Sequence, residues 1–209
     1  MTTQNDLYNR QYAWIARRIG KSHGFYRLSE PLTPSGTAYI QQPAAFTQDY
    51  KFAKPNKYGV STWFGFFDST QCKVGDFIDG DFGKFFIAAL QNCLPILCVQ
   101  CNRTVSVLRV TQSDSVGVIG YGGDSPDVES ALMSGWPASI LQGTKGEAND
   151  ARLPGDVRTP WWAILMPAFS GITLRTSDII TDDIGRRYII SSAELTDMGW
   201  RITAMQAQV

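Results

Sequence analysis

Three carboxylates fall close together in DFIDGD, as Asp76, Asp79 and Asp81. Calcium is held by such oxygen clusters, but the D-x-[DN]-x-[DN]-G order and distal glutamate of a calcium loop are missing, so the stretch reads as a hairpin turn. Cys98-Val-Gln-Cys101, with Cys93 nearby, has the spacing of half a zinc site. No second CxxC follows, and residues three apart on a strand face opposite sides, which works against joint ligation. The chain's one histidine, His23, stands beside Ser22 and would have to serve any Ser-His-Asp or Cys-His arrangement, without a GxSxG to support it. The glycines of VGVIGYGGD are spaced G-x-x-G-x-G-G, which is neither a P-loop nor a dinucleotide fingerprint. No paired-carboxylate motif of a glycosidase stands out. The inventory points away from catalysis, and no cofactor or metal ligand set is expected.

Six tryptophans raise a binding-platform reading, since exposed rings hold sugars or peptides. Trp63, Trp161 and Trp162 lie in strand-like runs and read as core, whereas Trp136, just before Pro137, reads as exposed or interfacial. The four thiols, Cys72, Cys93, Cys98 and Cys101, read as reduced core residues.

The elements that must position these groups belong mainly to a β protein. The 209 residues balance 19 Lys and Arg against 19 Asp and Glu, with abundant Gly and aromatics. Zero net charge argues against a dominant sequence-independent nucleic-acid binder, which needs a basic excess to displace counterions. No apolar run is long enough to cross a membrane as a helix, and the opening MTTQNDLYNRQYAW lacks a basic n-region and apolar h-region, so a cytoplasmic protein is expected.

One convincing helix is predicted over Asn5 to Gly20, with Tyr8, Tyr12, Ile15 and Ile19 on one face and Arg10, Arg17 and Arg18 off it. Prolines then punctuate the chain to Pro55, and strand signals follow at YGVSTWFGFF, at GDFIDGDFGKFFIAAL, and in the alternation of Leu97, Val99, Cys101, Val105 and Val107. Residues 111–160 turn rich in Gly, Ser, Asp and Pro and read as a loop-rich insertion or arm, with strands resuming at Trp161 and continuing through WRITAM.

An internal repeat organises the rest. GDFIDGDFGKFFIA from Gly75 and SDIITDDIGRRYII from Ser177 align without a gap, setting Asp76 on Asp178, Ile78 on Ile180, Gly83 on Gly185, Phe86 on Tyr188 and Ile87 on Ile189. Each copy follows an aromatic strand, at Trp63 and at Trp161. The expected fold is therefore two small β modules (repeats near 75–90 and 177–192) with an N-terminal helix and a long loop insertion. The expected division is helix plus first module over 1–110, insertion over 111–160 and second module over 161–209.

The opening YNRQYAWIARRIGKSHGFYRLSEPLTP and the stretch GDFIDGDFGKFFIAALQNCLPILCVQCNRTVSVLR resemble segments of tailed-bacteriophage and prophage proteins. SDIITDDIGRRYIISSAELTDMGWRI is similar to a hairpin of head-closure and related neck proteins. The resemblance implies a non-enzymatic virion component, a ring-forming head-to-tail connector or collar subunit of the neck, with a baseplate or tail-end subunit as the alternative. It implies partners in copies of the chain and in adjoining portal, neck or tail proteins, passage of DNA, and no membrane. The helix and the loop Gly117 to Ala151 become contact elements, with Tyr8, Tyr12, Arg17, Arg18 and Trp136 as interface candidates. Arg103, Arg109, Arg186 and Arg187 become candidates to face a DNA channel. The doubled module with its insertion departs from the shorter head-closure pattern and favours a collar-like role. A glycan- or receptor-binding module and a cell-wall hydrolase are the rival classes.

Overall fold

Helix α1 (Gln4–Ile19) carries Asp6 in its first turn and Arg17 and Arg18 in its last, each complementing the helix dipole. The computed structural model describes residues 4–34, 36–49, 51, 53–110, 129–143 and 161–207. α1 ends at Gly20, whose N–H returns to the Ala16 carbonyl at 2.8 Å. A Cβ there would lie 2.5 Å from the Ala16 oxygen and 2.6 Å from the Ala44 oxygen, so the chain reverses against a strand where only glycine fits.

Twelve strands follow: β1 (Lys21–Tyr26), β2 (Ile40–Thr47), β3 (Thr62–Phe66), β4 (Phe77–Gly80), β5 (Gly83–Ala89), β6 (Ile96–Cys101), β7 (Arg103–Val110), β8 (Glu129–Gln142), β9 (Trp161–Met166), β10 (Ile179–Asp182), β11 (Arg187–Thr196) and β12 (Gly199–Gln206). They close into two antiparallel barrels, ordered β1-β2-β3-β6-β5-β4 and β7-β8-β9-β12-β11-β10. The order is the same in both. Each barrel joins two three-stranded meanders, and closure leaves neither barrel a free sheet edge.

Alternation along each strand divides the side chains into inward and outward sets. Phe25, Ile78, Phe85, Ile87, Ile96 and Cys98 fill the first barrel. Val107, Met133, Ile164, Ile180, Tyr188, Ile190 and Ile202 fill the second. The outward residues Phe77, Phe86, Ala88 and Val99 form a third cluster, which receives Leu165 of the second barrel. That cluster is the seam between modules.

The mainly β fold with two similar modules and an N-terminal helix is present. The division between modules falls elsewhere than the composition indicates. β7, placed above with the first module, pairs with β8 and β10, so the second barrel begins at Arg103. The stretch SALMSGWPASIL, read as part of an insertion or arm, is the long strand β8 of that barrel. Gly- and Pro-containing text misled here because β8 passes Gly135 at φ +75° and pairs through two register shifts with β7.

The repeat is also one residue out of step in its second half. Ile78 pairs with Phe85 and Ile180 with Tyr188, so Tyr188 answers Phe85, not Phe86. Likewise Ile87 answers Ile190: their N–H groups donate to the carbonyls of Asp76 and Asp178, each at 2.9 Å. The turn between β10 and β11 holds one more residue than its counterpart. Trp63 pairs with Cys98 and Trp162 with Ala204, so Trp162, and not Trp161, is the counterpart of Trp63. A bulge follows Ile87 in one barrel and Ile190 in the other.

Candidate interaction surfaces

The residues suggested above as functional separate into those that close the barrels and those that face outward. Asp76 and Asp178 sit in turns leading into β4 and β10, and both are buried. Arg27 follows β1 and grips Asp76 through Nε at 3.0 Å and Nη2 at 2.9 Å, and Nη2 also donates to the Gln71 carbonyl at 2.9 Å. Arg109, near the end of β7, grips Asp178 through Nε and Nη2, both at 2.8 Å, and donates to the Thr173 carbonyl at 2.8 Å. The backbone N–H groups of Lys73 and Arg175 complete the two sets, at 2.9 and 2.7 Å. Each carboxylate raises its arginine's pKa, and the bidentate fork is the strong geometry for this pair. Arg109 is therefore a barrel-closing residue, its charge spent on Asp178.

The other arginines of the same prediction divide. Arg187 pairs with the buried Glu129. Arg103 lies 3.8 Å from Asp182 and 3.9 Å from Asp183. Asp182 accepts the N–H groups of Ile184 and Arg186 and the Tyr188 hydroxyl, so it staples the β10–β11 turn. Arg186 is exposed. These four do not form one basic surface.

The carboxylates of DFIDGD part in the same way: Asp76 is clamped, Asp79 meets Lys84 at 3.7 Å and Asp81 meets Lys21 at 3.4 Å. Among the described residues no cluster of three His, Cys, Asp or Glu side chains is arranged to hold a metal ion. His23 lies in β1 rather than in a loop; it is buried, with Nδ1 2.7 Å from the Lys21 carbonyl and its ring stacked on Phe82. The glycines of VGVIGYGGD lie outside the described residues.

All four cysteines are free thiols. Burial pushes the Cys72 thiol up to about 11 and Cys98 higher still, which keeps both in the unreactive protonated form at neutral pH.

Trp136 reverses its expectation. It is wholly buried in the second barrel, and its Nε1–H donates to the Pro31 carbonyl at 2.7 Å, with Phe169 edge-on at 5.8 Å. Pro31 belongs to the β1–β2 connection, so a first-barrel loop supplies the acceptor that this indole needs. The Ser134 N–H uses the same carbonyl at 2.9 Å. Asn102, between the barrels, donates to the Ile140 carbonyl and accepts the Ile140 N–H, both at 2.8 Å.

The helix carries three of the exposed large apolar side chains, Leu7, Trp14 and Ile19. Ala13 and Ala16 are buried against the barrel, Tyr12 meets Phe66 edge-on at 5.5 Å, and Tyr8 lies 6.2 Å from Tyr12, both half-buried. The Asn9 amide anchors the helix, donating to Thr70 Oγ1 at 3.0 Å and accepting the Ser69 N–H at 2.9 Å. Tyr8 and Tyr12 thus face the chain's own barrel, whereas Arg17 and Arg18 are exposed. Leu7 and Trp14, one above the other at i and i+7, point outward at 52% and 60% exposure, and Ile19 is 56% exposed. The Arg18 guanidinium lies 5.5 Å from the Trp14 ring. Leu7 and Trp14 escaped the sequence reading because the Tyr-Ile face was the more regular stripe. No family model, curated protein or solved structure matches the chain.

Proposed function

We propose that the chain is a structural subunit of a tailed-bacteriophage virion: a ring-forming neck protein of connector or collar type. It assembles in the host cytoplasm with copies of itself and with adjoining portal, neck or tail proteins. The observation that carries the reading is α1, a helix seated on a closed barrel with Leu7, Trp14 and Ile19 turned to solvent beside Arg17 and Arg18. A helix that keeps an exposed tryptophan and leucine in line is equipped to bury them against a partner. The opening segment that contains this helix is also one of the segments whose residues resemble those of phage and prophage proteins.

The internal ion pairs favour a scaffold over an acid–base catalyst. Asp76, Asp178 and Asp182 each use their oxygens on arginine, tyrosine or backbone donors, leaving them committed to turn geometry.

The test is the composition of particles. Mass spectrometry of purified tailed-phage virions whose genome encodes the chain should find it at ring-like copy number, and immunogold labelling should mark the head–tail junction. Absence from intact particles overturns the virion reading; label at the tail tip moves the subunit to the baseplate.

A further inference from the structure

The two barrels are joined by unlike faces, and one half of that pairing recurs unused. The outward face of β4-β5-β6, bearing Phe77, Phe86 and Val99, receives Leu165 from the outward face of the β8-β9 pair. The register makes Leu165 the counterpart of Phe66, since each lies three residues beyond the paired tryptophan of its strand. In the first barrel that position is covered by α1 through Tyr12. The helix thus occupies, on barrel one, the place that barrel one occupies on barrel two.

The receiving face also has its counterpart. Phe77, Phe86 and Val99 correspond to Ile179, Ile189 and Met205, through the pairings Phe77 with Phe86 and Phe86 with Val99, and Ile179 with Ile189 and Ile189 with Met205. All three positions remain apolar. Ile179 is already buried within the chain at 1% exposure, Ile189 is half-buried and Met205 is 47% exposed, whereas Val99 beneath the seam, the counterpart of Met205, is 3% exposed. The chain therefore ends each repeat with a receiving face, fills the first with its own second barrel and leaves the Ile189 and Met205 side of the second presented.

The geometry points to head-to-tail self-docking, in which the β10-β11-β12 face of one copy, centred on Ile189 and Met205, receives the outer surface of α1, Leu7 and Trp14, of a second copy. This rests on the assembly reading above in taking the occupant to be another copy of the chain. Three observations select that occupant. The contact continues the order already built between the barrels, receiving face against helix-bearing side. The closed barrels offer no sheet edge, so association must use side-chain faces. The two faces are different, so the contact is heterologous and propagates, closing into a ring where the rotation allows. Thr203 stands where Leu97 stands in the seam, which makes the contact between copies more polar and weaker than the one within a copy.

Light scattering and sedimentation of the full chain across a concentration series test this, with Trp14→Asp and Met205→Asp as single variants. The expected result is concentration-dependent assembly of the natural chain, weakened roughly thirtyfold or more in each variant, as for loss of a central anchor residue. Mixing the two variants should then give a one-to-one dimer that grows no further, because each supplies the face the other lacks. Thermal melts accompany each variant; if an aspartate variant melts early, Trp14→Gln and Met205→Gln replace it with the same expectation. A natural chain that stays monomeric throughout, variants that assemble like it, or a mixture that forms no dimer each overturns the docking. None of these bears on particle composition, which tests the virion reading separately.

Discussion

Asp178 repeats the arginine and backbone bonds of Asp76, which accepts the Tyr39 hydroxyl as well. Each accepts a bidentate arginine, from Arg109 or Arg27, and one backbone N–H three residues upstream, and each lies in the turn before the strand that closes its barrel. The arginines arrive from positions 69 and 49 residues away in sequence, so barrel closure, not local turn chemistry, brings each pair together.

Removing either carboxylate leaves a guanidinium and a turn N–H without their acceptor. Asp178→Ala and Asp76→Ala should each destabilise the protein by about 3 kcal/mol, because the arginine has lost its buried counter-ion. Urea unfolding measures it. Hydrogen exchange should show the loss concentrated in the barrel that carries the change; uniform loss across both barrels would contradict the local role.

The two most contrasting tryptophans make a paired prediction. Trp136→Phe loses the bond to the Pro31 carbonyl and buried volume, and should cost about 2 to 3 kcal/mol. Trp14→Ala, on the exposed face of α1, should change the stability of the monomer by only about 0.5 kcal/mol. Thermal melts at low concentration compare them, and equal losses would show that Trp14 is part of the fold.

Asn102 is expected to couple the barrels. Its amide serves both the N–H and the carbonyl of Ile140. Asn102→Ala should cost about 2 kcal/mol and separate the unfolding of the two barrels, seen as a broadened or split calorimetric transition. A single transition as sharp as that of the natural chain would assign the coupling to the apolar seam alone.

Stability should fall in alkali. Burial raises the Cys72 thiol from 9.0 to about 11, and burial raises Cys98 and the Tyr39 phenol as well. The folded state holds these protons longer than the unfolded chain, so their contribution is complete below about pH 9 and is lost as pH rises through the folded values. For Cys72 this amounts to about 2 to 3 kcal/mol. Urea unfolding from neutral pH to about pH 11 should show the decline, and Cys72→Ala should make it shallower. An unchanged slope in that variant would assign the decline to other groups.

Much of this was legible along the chain, and the errors share a cause. The helix was found within one residue at each end, because i, i+4 spacing and a glycine stop are local signals. The paired Asp turns were found because the repeat spells them alike. The repeat's register slipped because the extra residue sits in the β10–β11 turn, where Asp182 and Gly185 permit an insertion without disturbing the ladder. β8 was missed because its partners, β7 and β9, lie far from it in sequence and its glycine and proline imitate a loop.

By itself the sequence determined the strand-rich character, the helix, the doubled hairpin and the exposed basic end of α1, since each depends on neighbours a few residues apart. Tertiary structure decided the rest: which strands share a barrel, that Arg109 is consumed by Asp178 while Trp136 is sealed under Pro31, and that Trp14 and Met205 are left outward. Those outcomes turn on which face of each strand or helix is covered, and cover comes from segments distant along the chain.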